Sequence, residues 1–189
     1  MSEIVDDYIR EIRDAIIASK LNHEIWWIFK DPDSRTKYLS TMNNYTLFFQ
    51  TSIHAHFVAL IVALYRLYET RKDTYNIPVL LRLLEEEKSI SEERMQELKS
   101  MHIRAKPIWR KVGILRNEAF GHRLSSSAVP KTFEKADATS NEIGDLIKLT
   151  CELLNTATRA RSRQLNAFNL SARQDTLEML EDLKLSSSG

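Results

Sequence analysis

The stretch IHAHFVALIVALYRLY, residues 53–68, decides the fold class. Only His54, His56 and Arg66 in it are clearly polar, and it belongs to a longer pattern from about Ser40 to Arg71 that contains neither Gly nor Pro. A helix that is apolar nearly all round sits at the centre of a bundle, so this segment is predicted as the central helix of an all-α protein. Its purely apolar part, FVALIVALY at 57–65, is about half of the roughly 18 residues that a spanning helix takes. A core helix is therefore expected, and no membrane partner.

Working outward, Ile4, Tyr8, Ile12 and Ile16 recur at helical spacing, with Ile9 and Ile17 widening the stripe. They predict an amphipathic helix over 3–20, with Ser2 as its cap. NHEIWWIFKDPD, 22–33, reads as a separate short aromatic helix ended by Pro32, in which Trp26 and Trp27 serve as packing anchors. Downstream, VLLRLLEEEK at 79–88 makes a short helix. Ser89 with Glu92 offers a capping box for a helix from about 90 toward Phe120, which Pro107 should bend or interrupt.

Residues 121–138, rich in Ser and Ala and containing Pro130, read as a loop. Thr139 with Glu142 forms a second capping box, and Ile143, Leu146, Ile147, Thr150, Leu153, Leu154 and Ala157 then trace one apolar stripe. After Arg159 the pattern turns polar before a weak last helix with Leu177, Leu180 and Leu183. The expected organisation is one bundle over 1–170, followed by this weak helix and a flexible tail over 171–189.

Composition agrees with one helical domain. The chain has 189 residues, 43% hydrophobic and 28% charged, with only four Gly and four Pro, too few turn residues for many short strands. The net charge of +1 predicts no blanket attraction to nucleic acid or membrane. Cys151 is the single cysteine, which fits a small buried thiol in a reducing compartment. The start, MSEIVDDYIREIRD, carries acids where a secretory signal would carry bases, so a cytoplasmic protein is expected.

The pointed segment is GILRNEAFGHRLSSS, 113–127, where an Arg-Asn pair and a His-Arg pair bracket the end of a helical pattern. Arg116 and His122 are six apart, so on a continuous α-helix they would stand about 120° apart around the axis and about 9 Å apart along it. They could converge if Gly121 took a left-handed conformation past the helix end, or across a dimer. The same spacing also suits an ordinary structural pair, an Arg on a helix surface and a His near a helix C-terminus.

A helical segment ending in R-N-x-x-x-x-H resembles the motif of the HEPN superfamily, and RNEAFGHR is most similar to its AbiU-type abortive-infection branch. The resemblance implies an up-and-down bundle of four to five main helices with additional short ones. It also implies a homodimer whose two motifs build a metal-independent endoribonuclease site of defence or toxin type. Catalytic roles carry over to Arg116, which would grip phosphate through its planar fork, His122, which would move protons near neutral pH, and Asn117, which would orient one or the other. A toxin-type setting adds an antitoxin or regulatory protein as a partner. At one position the chain departs from the pattern: many relatives carry an acid after the His-Arg pair, and here Leu124 follows.

Local charge favours RNA more than the net charge does. Lys99, Arg104, Lys106, Arg110, Lys111, Arg116 and Arg123 are opposed only by Glu118, and Arg159, Arg161, Arg163 and Arg173 form a second acid-free stretch. Arg110, Lys111 and Arg123 are the RNA-binding candidates, against the plainer reading of solvated helix faces. No metal site is predicted, since His54 and His56 are two apart and point to different sides, and neither CxxC nor HExxH occurs. No cofactor is predicted either, because GxxxxGK and GxGxxG are absent. Two readings thus stand: a ribonuclease, or a non-catalytic HEPN-like module that binds RNA, a nucleotide or a partner protein.

Overall fold

The computed structural model describes residues 3–121, 129–162 and 164–186. Four long helices make the body: α1 (Glu3–Lys30), α3 (Thr46–Tyr68), α5 (Glu92–Ile114) and α7 (Ser140–Ser162). Between them lie α2 (Pro32–Asn44), α4 (Ile77–Glu86), a π-helical turn (Leu115–Gly121) and α6 (Val129–Ala136), and α8 (Arg173–Ser186) follows. No strand occurs among the described residues.

The side-chain contacts fix the helix directions. Phe29 meets Phe49 and Trp26 meets Phe57, so α1 and α3 run antiparallel. Tyr65 meets Trp109 and Tyr68 meets His102, which sets α5 against α3. Arg161 pairs with Asp6 while Gly144 lies beside His23, which closes the ring between α7 and α1. The architecture is an up-and-down bundle, the predicted class.

Several boundaries differ from the sequence reading. The two expected N-terminal helices are one 28-residue helix, because nothing between Lys20 and Lys30 breaks the backbone pattern. Pro32 does end it, and also starts α2, where its missing N–H would be unpaired anyway and the Asp31 carboxylate accepts from Ser34 N at 3.1 Å. The predicted long helix from Ser40 is split at Tyr45. The cap of α5 is Ser91 and not Ser89, with its hydroxyl accepting from Arg94 N at 3.3 Å. Pro107 does not interrupt α5, since it and Ile103, whose carbonyl it frees, both lie on the exposed side where water can serve instead. The predicted loop at 121–138 contains α6, on which Thr132 and Ala136 are buried.

The capping box at α7 is reciprocal as predicted: Thr139 N donates to Glu142 Oε2 at 2.9 Å, and Glu142 N donates to Thr139 Oγ1 at 3.2 Å. Every residue of the predicted α7 stripe is buried. A second core joins the end of α1 to α2, α3 and α8, with Phe29, Tyr38, Phe49 and Leu180 inside it. The described part of 171–189 therefore packs on the bundle. Ser2, the cap expected for α1, and the tail at 187–189 lie outside the described residues.

The expectation for α3 needs the largest correction. It is not the centre of the bundle but one of its walls. Phe57, Leu60, Ile61, Leu64, Leu67 and Tyr68 face the core, while Phe48, Ala55, Ala59 and Val62 are exposed along the other side. By length and apolar composition alone, the 23-residue helix would pass for a membrane-crossing segment; the bundle uses only its inner face.

Asn76 shows how the connection into α4 is held. Fully buried, it accepts from Val79 N at 2.9 Å as the helix cap and donates to the Arg71 carbonyl at 2.7 Å and to Thr74 Oγ1 at 2.9 Å. Asn76→Ala removes the cap and leaves buried partners unpaired, a loss of about 2 kcal/mol. Urea unfolding should show it, with Asn76→Asp intermediate because it restores the acceptor but not the donors.

Candidate functional site

The pointed segment is built where α5 widens. In the π-turn Leu115–Gly121 the backbone closes on the residue five ahead instead of four, so Gly121 closes on Arg116 where Phe120 would in an α-helix. No glycine among the described residues has a positive φ: at Gly121 the helix widens and does not take the left-handed turn that was one of the two possibilities. Leu115, 1% exposed, anchors the turn in the main core.

Arg116 is half-buried and lies over the Tyr65 ring of α3, with its guanidinium carbon 4.9 Å from the centroid. Its Nη1 donates to Asn117 Oδ1 at 2.9 Å. Tyr65 in turn stacks on Trp109 at 5.7 Å, and Trp109 Nε1 donates to the Tyr65 carbonyl at 3.2 Å. The result is a three-layer stack, Arg116 on Tyr65 on Trp109, that spans two helices and the π-turn. Such a stack orients a guanidinium without consuming its donors. Among the described residues no carboxylate pairs with Arg116.

The other candidates separate. Asn117 is exposed and orients the arginine. Arg110 is exposed on α5. Lys111 is committed elsewhere: its ammonium donates to Glu142 at 2.7 Å and to the Asp137 carbonyl at 2.5 Å, tying α5 to the start of α7. The hydrogen bond that the Lys111 ammonium donates to the Glu142 carboxylate holds Lys111 above the usual lysine range and Glu142 below the usual carboxylate range. Glu118, the lone acid of the stretch, is neutralised by Lys135 of α6. His122, Arg123 and Leu124 lie outside the described residues.

Other parts of the basic pattern serve the fold. Lys99 pairs with Glu85, and Arg161, its side chain 2% exposed, joins Asp6 and Glu87. Arg159 and Arg173 are exposed, and Arg163 lies outside the described residues. Burial holds His23, His56 and His102 below the usual histidine range. His56 is bonded to Asn22, while His54 is exposed and meets the Phe120 ring, so the two point apart as their spacing requires. Burial pushes the Cys151 thiol up to about 11.

Tyr65 is the site residue that sequence reasoning missed. Within an apolar run its hydroxyl-bearing ring looked like one more core side chain, and nothing in its spacing points to a position some fifty residues on. Trp109, read as merely packing, is the base of the same stack.

A family model described as HEPN_AbiU2, AbiU2, matches residues 2–179. No curated protein and no solved structure matches the chain.

Proposed function

From the premise that this chain belongs to the HEPN_AbiU2 family, we propose that it is a metal-independent endoribonuclease of the abortive-infection type. The observation that carries this reading is Arg116: a guanidinium stacked on Tyr65, steadied by Asn117 and opposed by no described carboxylate. Its remaining donors suit the two free oxygens of a phosphodiester.

The chemistry follows from the residues. His122 takes the proton of a ribose 2′-hydroxyl, whose oxygen attacks the adjacent phosphorus. The bond from phosphorus to the 5′ oxygen breaks, that oxygen takes a proton from water as it leaves, and a 2′,3′-cyclic phosphate remains. Arg116 stabilises the charge that builds on the phosphate oxygens, and Asn117 sets its angle. DNA lacks the nucleophile and is not cut.

The enzyme acts in the cytoplasm as a homodimer, and the outer side of α3, with Phe48, Ala55, Ala59 and Val62 exposed at helical spacing, supports a second copy of the chain as partner. An antitoxin or regulatory protein completes the setting. The test is cleavage of total RNA in excess EDTA by wild type and His122→Ala, with analysis of product ends. Cleavage by wild type alone, leaving cyclic phosphates, is the expected result; equal activity of the two proteins would sink the catalytic assignment.

Leu124 favours one other reading, a non-catalytic module that binds RNA, a nucleotide or a partner protein through the same surface. There, neither protein cleaves, and Arg116→Ala weakens RNA binding.

A further inference from the structure

Toward the other end of the π-turn from Arg116 lies a second feature that the motif does not account for. An open groove of about 730 Å³ runs between the end of α1, the first half of α3, the π-turn and α6. Its apolar lining is dominated by four aromatic rings. Phe57 occupies the centre, with Trp26 stacked on it at 4.8 Å, Phe133 stacked at 5.8 Å, and Phe120 edge-on at 5.8 Å. Phe133 remains 41% exposed although it stacks on Phe57.

The polar residues of the groove are Lys30, Gln50 and His54, all exposed. Among the described residues none of the three has a hydrogen-bond or ion-pair partner, and no carboxylate lines the groove. Phe120, one wall, belongs to the same seven-residue π-turn as Arg116.

We infer that this groove holds an unpaired nucleobase of the same RNA whose phosphate Arg116 grips. The inference rests on the ribonuclease reading above and names its substrate as single-stranded at this position. Exposed Phe133 and half-buried Trp26 and Phe120 border the groove with aromatic surface that accepts any base, backed by buried Phe57. The Gln50 amide can both donate to and accept from a base edge, and Lys30 supplies the positive charge a neighbouring phosphate requires. The volume falls within the roughly 300–1,000 Å³ of small-molecule sites, enough for one nucleotide. A base still paired in a duplex would not reach these rings. An apolar peptide side chain would also fit such walls, but an aromatic lining with a cationic, acid-free rim matches a polyanion carrying flat rings better.

Binding to the full chain in the His122→Ala background, which keeps RNA intact, tests this. Fluorescence anisotropy compares a short labelled single-stranded oligoribonucleotide with the same backbone made abasic. Phe133→Ala should weaken binding of the base-bearing strand by about tenfold and leave the abasic strand within about twofold. Gln50→Ala should act in the same direction, and Arg116→Ala should weaken both strands alike. If Phe133→Ala and Gln50→Ala bind the base-bearing strand as tightly as their parent while Arg116→Ala does not, the groove assignment fails and the phosphate site stands; a peptide-binding groove would give this result. An equal loss on both strands also overturns it, because Phe133 would then act through the fold. No binding of any RNA overturns the groove and the ribonuclease reading together.

Discussion

Arg116→Lys is expected to lose about a hundredfold in RNA cleavage while keeping RNA binding within a few-fold. Lysine preserves the charge, so the attraction to the backbone survives. It cannot present two parallel donors to a phosphate, and it cannot lie flat on Tyr65 as the guanidinium does at 4.9 Å. Nor can its ammonium hold the geometry in which Asn117 now accepts from Nη1. The fold should hardly notice, since a half-exposed cation on a ring contributes about 0.5–1 kcal/mol. Single-turnover cleavage with excess enzyme separates the two effects. A lysine variant that cleaves within a few-fold of wild type would mean that charge alone is needed, and that the stack is a packing feature.

A second large effect should appear in stability. Leu64 is fully buried on the inner side of α3, whereas Val62, two residues earlier, is 40% exposed on the outer side. Leu64→Ala removes buried methyl groups and leaves a cavity, at a cost of about 2–5 kcal/mol. Val62→Ala should cost under about 0.5 kcal/mol in the monomer. Urea unfolding at low protein concentration measures both. Similar losses for the pair would mean that α3 is enclosed on both sides and that its outer surface has been misassigned.

Local signals were legible and long-range ones were not. The Thr139–Glu142 box could be read because both hydrogen bonds close within four residues, and the α7 stripe because its period matches one buried face. Ser89 carries the capping-box pattern with Glu92, yet the hydroxyl that reaches a backbone N–H is that of Ser91. The helix at 129–136 was hidden by Pro130 and the serines before it, although Thr132, Phe133 and Ala136 carry helical spacing. Pro130 stands in the first turn of α6, where a missing N–H costs the helix no bond.

The candidate site divides in the same way. Arg116 and Asn117 adjoin in sequence, and their contact is local. The stack on Tyr65 depends on α3 and α5 lying side by side, and no periodicity within either helix encodes that. Nor does composition announce the π-turn, which packs against α3 and α6. The basic stretch misled about Lys111 because its counter-charge, Glu142, lies thirty-one positions away.

The one-sided packing of α3 also has a consequence during synthesis. When Tyr68 has left the ribosome, α1 is available to cover part of the inner face, but α5 is complete only at Ile114. At typical translation rates that interval is roughly 2–9 s. Throughout it, the nascent chain presents the most apolar helix of the protein on two sides at once, to chaperones, to targeting factors and to its neighbours on the same message. Slowing translation between residues 68 and 114 would lengthen that exposure, and is expected to lower the yield of native protein without changing its final stability.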